Sequence, residues 1–392
     1  MSNRTTADAV VIGAGVIGTS TALFLARTGL KTTVVERDHI CAGTTGQSGG
    51  IVRQHYSQPW TAALARDALA VFQDWRNQIG GDASFVQSGV LFVGDAASEA
   101  SLRSNVAMHR SLGIRTELLD ASDVARLEPR LEVDDLTIAC YEPTAGYADP
   151  VSTTYSLADA ARSAGADIRE GTTVTSIRHV GGRVTGVETT DGPIDSPIVV
   201  NAAGIWGVAM MAELGLDLPI VATRHPMVAL RQPATARPLH LPVLDVAIDT
   251  YLIPRGDITL VGTLGTHDDD ATVDPDSYLR GITNDEVDRL SALGRRRMPA
   301  LDRGVMWGGW AGIYDESIDA HPIVDAVPGL DGLFCALGMS GNCFKLAPKL
   351  GELLARRIVD GPDAAEAIAP LRIDRFAGGA THTRAFAMSV LA

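Results

Sequence analysis

Apolar residues along this chain fall into short unbroken runs that alternate with longer stretches at helical spacing. The first run, Ala9-Val10-Val11-Ile12, passes into Gly13-x-Gly15-x-x-Gly18 and a helical pattern through Ala26. Gly29 ends that pattern, and a second apolar run closes at Glu36. A run too short for a helix, a glycine turn, helical spacing and another short run predict a strand–turn–helix–strand unit. Three glycines, Asp8 and the lack of a small-residue cleavage pattern argue against a signal peptide or membrane segment over residues 7–26.

Further on, Cys41 to Gly50 is too rich in small residues for a regular element and reads as a loop and helix start that another backbone approaches closely. Trp60 to Gln78 carries Leu64, Ala68, Val71, Phe72 and Trp75 at helical spacing, with its aromatics in the core. Val90–Val93 predicts a strand, and residues 99–127 predict two amphipathic helices parted by Gly113, the second starting at Asp120-x-x-Asp123. Alternating units resume with a helix from Val151 to Ser163 and strands within Asp167–Val187, broken at Gly181-Gly182. Ile198 to Ala203 is a fully apolar strand running into a glycine turn at Gly204, the composition of a buried parallel strand. Between Pro219 and Gly312 short β-like runs (Met227–Leu230, Tyr251–Pro254, Thr259–Gly262) surround one helix, Asp285–Met298, which is the texture of a mixed sheet. Leu333–Leu337 is a last buried strand, followed by a second glycine turn, Gly338 to Asn342, and a helix from Lys345 to Asp360.

The opening unit carries chemistry. Gly13 makes the tight turn, Gly15 lets backbone approach a pyrophosphate, and Gly18 lets the helix pack on the strand. The phosphates would sit at the helix N-terminus, at its unpaired N–H groups and positive dipole end. Glu36, at the end of the second strand, is placed to accept both ribose hydroxyls of an adenosine, which favours FAD or NAD over NADP despite the neighbouring Arg37.

Length and charge narrow the reading. The 392 residues leave room for separate cofactor and substrate domains. A net charge of −14, with no basic run longer than Arg295-Arg296-Arg297, argues against nucleic acid, and that triplet reads as a solvated helix face. Four cysteines without C-x-x-C or metal spacing predict a reduced, cytoplasmic protein with no metal, and no later segment would span a bilayer.

The fingerprint at 13–18, the AGTTGQSGGIVRQHYS loop at 42–57, VNAAGIW at 200–206, WAGIYDESIDAHPIVD at 310–325 and GMSGNCFKLAP at 338–348 occur in the order found in the FAD-dependent amino-acid and amine oxidoreductases. The chain thus resembles the D-amino-acid oxidase superfamily, in particular monomeric sarcosine oxidase, glycine oxidase and the sarcosine and dimethylglycine dehydrogenases. The resemblance implies an α/β fold of glutathione-reductase-like, D-amino-acid oxidase type. A discontinuous Rossmann-type FAD-binding domain (1–87, 147–222 and 320–360) would be joined to a mixed β-sheet substrate domain (88–146, 223–319 and 361–392). It implies FAD contacts from Gly13, Gly15, Val16, Ile17, Gly18, Glu36, Arg37, Thr44, Thr45, Ser48, Gly49, Gly50, Val174, Ala203, Gly204, Trp206, Gly338, Ser340, Gly341, Asn342, Phe344 and Lys345.

The implied reaction is oxidation of the carbon–nitrogen bond of a small amino acid, a secondary amine such as an N-substituted glycine, to an imine that hydrolyses, with dioxygen as acceptor. Arg53 and Lys345 match the groups that grip the substrate carboxylate in the sarcosine oxidase branch, Tyr314 its active-site tyrosine and His267 a substrate-side histidine. His225, His240 and His321 have no motif support and read as structural. Lys345 stands out by composition, because the chain has only three lysines, Lys31, Lys345 and Lys349.

Departures from the family pattern sharpen the picture. The lysine that promotes reaction with dioxygen in sarcosine oxidase falls near Thr263, where there is none, which opens the alternative of a dehydrogenase with another electron acceptor. The residues that tether FAD covalently in relatives fall at Gly312 and Gln47, implying non-covalent FAD. Gly50 replaces an arginine close to the flavin ring and implies room for a bulkier substrate. An NAD-dependent dehydrogenase and a non-catalytic dinucleotide-binding protein are the other readings that the fingerprint alone allows.

Overall fold

The computed structural model describes residues 5–265 and 272–376. Its centre is a six-stranded sheet in the order 323–326, 333–337, 199–201, 9–12, 32–35, 167–169. Every neighbouring pair is parallel except the edge strand Ile323–Ala326. These strands are short and apolar because both faces are covered: Ala9, Val10 and Val11 are fully buried, as are Val199, Val200 and Leu333.

The first helix, Val16–Arg27, is buried along nearly all its length. Its contact with the preceding turn excludes side chains, since a methyl group on Gly18 would stand 2.0 Å from the Gly13 carbonyl oxygen. Gly13 itself has φ +98°, which only glycine adopts freely. On the opposite side the helix Ala347–Val359 approaches through Gly351, where a methyl group would meet Ser20 Oγ at 2.2 Å.

An eight-stranded mixed sheet forms the second layer, in the order 305–317, 220–231, 258–262, 250–255, 243–245, 90–94, 138–142, 117–119. Its longest pair, Ile220–Arg231 with Val305–Ser317, is antiparallel and sets Thr223 opposite Tyr314 and His225 opposite Gly312. A small four-stranded sheet (5–6, 174–180, 183–189, 194–195) packs beside the first, and a two-stranded pair, Ile51–Val52 with Gly146–Tyr147, leads the chain into Arg53.

Several elements differ from expectation. The predicted 60–78 helix breaks at Asp74 into Pro59–Gln73 and Trp75–Gln78, though Phe72 and Trp75 are core residues as expected, with ring centroids 5.0 Å apart. The strand Ile138–Glu142 was not foreseen; its apolar run ends at a glutamate and a proline, which hides the pattern. The last long helix starts at Ala347, two residues after Lys345, because Pro348 lacks an N–H and belongs in a first turn. Asp120 and Asp123 do form the expected helix start, each capping the other's backbone N–H.

The Arg295–Arg297 triplet is not a uniformly solvated face. Arg297 is fully buried, bonded to the equally buried Asp245 and, at 2.9 Å, to Asp135. It lies on the inner side of the helix Asn284–Arg297 and so ties that helix to the strand Val243–Asp245. Removing one partner of such a pair strands the other charge in a dry interior. Arg297→Ala should therefore cost roughly 3–5 kcal/mol, whereas Arg295→Ala should change stability by less than about 0.5 kcal/mol; urea unfolding of the two variants tests the contrast.

Candidate active site

At the C-terminal ends of the parallel strands lies a cavity of about 580 Å3. The first helix opens onto it with Gly15 as a cap that has no side chain, so its N-terminal N–H groups face inward. A methyl group on Gly15 would stand 3.2 Å from Thr45 Oγ1, the atom that accepts the Val16 N–H at 3.3 Å. Glycine backbone and the Thr45 hydroxyl therefore form this wall, which suits an anion that must come close.

Glu36 stands at one end of the cavity. Its carboxylate accepts the Ala14 N–H at 2.8 Å and the Asp38 N–H at 2.9 Å, which fixes its position. Arg37 is already engaged: it stacks 4.4 Å over Trp206 and pairs at 3.2 Å with Asp276, which also accepts the Trp206 indole N–H at 2.8 Å. That arrangement accounts for Arg37 without a 2′-phosphate.

The other end is built by the loop 42–48, the strand Val305–Ser317 and the second glycine turn. Gln47 joins the first two, donating to Tyr278 Oη at 2.8 Å and accepting the Ile313 N–H at 3.3 Å and the Trp310 indole N–H at 3.2 Å. Gly312 lies against Gln47, where a methyl group would meet Gln47 Cβ at 3.1 Å. Tyr314 packs so tightly on Gly341 that a methyl group there would stand 2.4 Å from the ring, and His225 stacks on its other neighbour face with centroids 3.8 Å apart. Asp315 lines this end too; burial pushes its carboxyl up to about 6, and its Oδ2 has no hydrogen-bond partner among the described residues.

Behind the wall at Gly341, Cys343 and Phe344 sits a buried group of charges. Arg53 and Lys345 are only 3% and 6% exposed, and both lie against the Tyr56 ring, with Arg53 Cζ 4.2 Å and Lys345 Nζ 5.4 Å from its centroid. Lys345 Nζ donates to Tyr56 Oη at 2.9 Å and to the Asn342 carbonyl at 2.6 Å, while Arg53 bonds to the His55 carbonyl and reaches Asn342 Oδ1 at 3.4 Å. Burial and the adjacent guanidinium hold the Lys345 amine well below its usual range. A guanidinium and an amine thus stand side by side in a dry region.

These features are those of a dinucleotide cleft with a buried group of charged side chains beyond its far end. A family model described as FAD dependent oxidoreductase matches residues 8–357. The chain belongs to the FAD-dependent oxidoreductase family. It is similar to human mitochondrial sarcosine dehydrogenase, 29% identical over 368 residues that cover 91% of this chain and 40% of that protein. It is also similar to glycine oxidase of Geobacillus kaustophilus, 27% identical over 95% of this chain and 97% of that one. The solved structure of L-proline dehydrogenase from P. horikoshii superposes with a TM-score of 0.89 at 26% identity, over 97% of this chain and 100% of the other. The chain therefore spans less than half the length of the sarcosine dehydrogenase it matches. Its cofactor is FAD, which removes the nicotinamide reading, membership of an oxidoreductase family removes the non-catalytic one, and the glycine cradle and the fixed Glu36 carboxylate fit FAD.

The flavoenzyme's cavity is lined by Gly13, Gly15, Val16, Ile17, Glu36, Arg37, Thr44, Thr45, Ser48, Val174, Ala203, Gly204, Trp206, Tyr314, Gly341 and Phe344, all expected contacts. Eight others stand back from it. Gly18 is taken up by helix packing, Gly49 lies against Ile253, and Gly338 against Ile220. Ser340 turns inward, where its hydroxyl accepts the Ser317 N–H at 3.1 Å. Asn342, Lys345 and Arg53 belong to the charged group behind the wall, and His267 lies outside the described residues.

Gly50 needs a different explanation from spare room. Its φ is +68°, and a methyl group there would stand 2.2 Å from the Ala148 carbonyl oxygen, so the backbone itself demands glycine. Sequence reasoning also passed over Tyr56 and Asp315, although they sit inside quoted segments, three residues after Arg53 and one after Tyr314, and over Glu142 and His109, which no motif marks. Gly50→Ala should cost roughly 1–3 kcal/mol and leave the preference among N-alkyl glycines unchanged; urea unfolding and kcat/KM for that series give the two readings.

Proposed function

We propose that this flavoenzyme oxidises the carbon–nitrogen bond of a small amino acid, a secondary amine such as an N-substituted glycine, to an imine that hydrolyses, with dioxygen as acceptor. The observation that carries this reading is the pair of buried cations on one Tyr56 ring, Arg53 and Lys345. Their hydrogen-bond partners include neutral oxygens, the His55 and Asn342 carbonyls, the Tyr56 hydroxyl and the Asn342 side chain. A carboxylate is a stronger partner than any of these, and a planar guanidinium beside an ammonium fixes it in orientation as well as position.

FAD, when bound, takes the hydride equivalent from the carbon next to the amine nitrogen. The chain's own work is positioning. Arg53 and Lys345 hold one end of the substrate, while Tyr314, backed by His225 and Gly341, walls the space between that end and the cofactor cleft. His267 is assigned to the same substrate side.

We divide the chain into an FAD-binding part (1–87, 147–222, 320–360) and a substrate part (88–146, 223–319, 361–392). In support, all six strands of the parallel-rich sheet fall in the first set, and those of the eight-stranded sheet fall in the second, with Ile220–Arg231 crossing the boundary.

FAD is held without a covalent bond in this reading. Gly312 and Gln47 offer no nucleophile, and burial pushes the Cys343 thiol, which lines the cavity, up to about 12. A dehydrogenase using another acceptor is the second reading, favoured by Thr263: no lysine lies near it in sequence, and Lys345 is the one buried lysine among the described residues.

Anaerobic bleaching of the flavin by a panel of amino acids tests the function, and the same panel in air separates the two acceptors. Failure of every secondary and primary amino acid to bleach the flavin rejects the reading. Acid precipitation should release all the yellow colour into the supernatant. Arg53→Ala should raise KM for the best substrate by roughly 10- to 150-fold, the equivalent of a lost charge-assisted bond of about 1.5–3 kcal/mol; steady-state kinetics checks it.

A further inference from the structure

The buried cations have a buried carboxyl for company. Glu142 ends the strand Ile138–Glu142, is fully buried, and accepts the Gln54 N–H at 2.8 Å through Oε2. Its Oε1 has no partner among the described residues. His109, on the helix Glu99–Ser111, is in the same position: Nε2 bonds to the Tyr56 carbonyl at 2.8 Å, and Nδ1 has no partner among the described residues. Ligating atoms of His55, His109 and Glu142 lie within 4.8 Å of one another.

Two imidazoles and a carboxylate would suit a transition metal in other surroundings. Here Arg53 and Lys345 both act on Glu142, and Arg53 acts on both histidines, so the local field opposes a dication. It favours an anion. The groups facing Glu142 are Arg53, His55 and Tyr56 from the segment after Val52, His109 from its helix, Cys140 from its own strand, and Lys345 from the segment after the second glycine turn. Among these Glu142 is the one carboxyl group.

We propose that Glu142 is the internal counter-anion of the Arg53–Lys345 pair, and that it takes up a proton when the substrate's carboxylate binds to those cations. This inference rests on the reading of Arg53 and Lys345 given above. A second negative charge entering a dry pocket cannot share the same two cations at no cost; like charges at close range leave one of the two neutral. Glu142 is the group that neutralises, since burial already pushes its carboxyl up to about 7 while the substrate's carboxylate arrives as a strong acid. The proton comes from solvent and ends on Glu142. No oxidant or reductant takes part in this binding step.

The sign of the pH dependence follows. Below about pH 7 Glu142 is protonated before the ligand arrives, and binding needs no proton. Above it, each binding event must draw one in, so affinity falls as pH rises.

Methoxyacetate is a suitable probe because it carries a carboxylate and no titratable amine. Titration calorimetry on the FAD-loaded enzyme near pH 8, in two buffers of different ionisation enthalpy, should show uptake of close to one proton per site. Its Kd should rise about tenfold between pH 6 and pH 8. Glu142→Gln should take up none and bind with a flat pH profile. Persistent uptake in Glu142→Gln would place the proton on Lys345 and overturn the proposal.

If that variant does not fold or hold FAD, infrared difference spectra of the wild-type enzyme decide: methoxyacetate should bring up a protonated-carboxyl C=O stretch, and its absence overturns the proposal. Arg53→Ala separates this inference from its premise. Unchanged methoxyacetate affinity there rejects the cation pocket itself, whereas weakened affinity with persistent uptake in Glu142→Gln rejects the role of Glu142 alone.

Discussion

The first helix touches bare backbone on two sides, and the rest of the molecule is arranged about that contact. Glycine at 18 lets it rest on the carbonyl of Gly13, and glycine at 351 lets the last long helix reach Ser20. With glycine at both close approaches, the helix N-terminus is fixed relative to the ends of three parallel strands, 9–12, 199–201 and 333–337. Each of these strands runs straight into a turn that walls the cofactor cavity, and the third turn goes on to carry Asn342 and Lys345 into the charged group. One packing constraint therefore sets both the pyrophosphate end of the site and the position of a substrate-side cation. A side chain at Gly18 would disturb chemistry far from it because interiors this dense transmit displacement.

What the sequence made legible follows the same division. Elements governed by local rules could be read: the glycine fingerprint, the carboxylate at Glu36, the reciprocal caps of Asp120 and Asp123, and the buried strands that are apolar on both faces. Where a residue's role depends on a distant partner, local pattern is silent. Arg297 sits in a run of three arginines that looks solvated, yet Asp245, 52 residues earlier, draws it into the core. Gly50 looks like space beside a ring, but the carbonyl of Ala148 dictates it. The order of motifs along the chain compensated for part of this, because it placed Arg53 and Lys345 in one site although 292 residues separate them in sequence. It carried no information on Glu142, whose strand ends in a glutamate that resembles an ordinary turn residue.

The charged group behind the cavity runs against the rule that interiors avoid ions. A guanidinium, an amine, a carboxyl and two imidazoles are packed there with two of their polar atoms unpartnered among the described residues, Glu142 Oε1 and His109 Nδ1. Replacing such a set with apolar residues of similar volume is commonly neutral or stabilising in proteins, so stability does not account for it. Local inconsistency of this kind is found where function imposes it. If the group binds a zwitterion, as proposed, part of its charge has to stay available to the ligand, since cations fully neutralised by the protein would give a carboxylate nothing to gain. An internal carboxyl that can accept a proton resolves the conflict: ionised, it offsets the cations while the site waits, and neutral, it leaves them to the ligand. The place of this group beside Gly341, Cys343 and Phe344, which line the dinucleotide cavity, then has a physical sense. On the proposed reading, the anion would be held in a dry recess beside Arg53 and Lys345, with the carbon next to it facing the cleft where FAD binds.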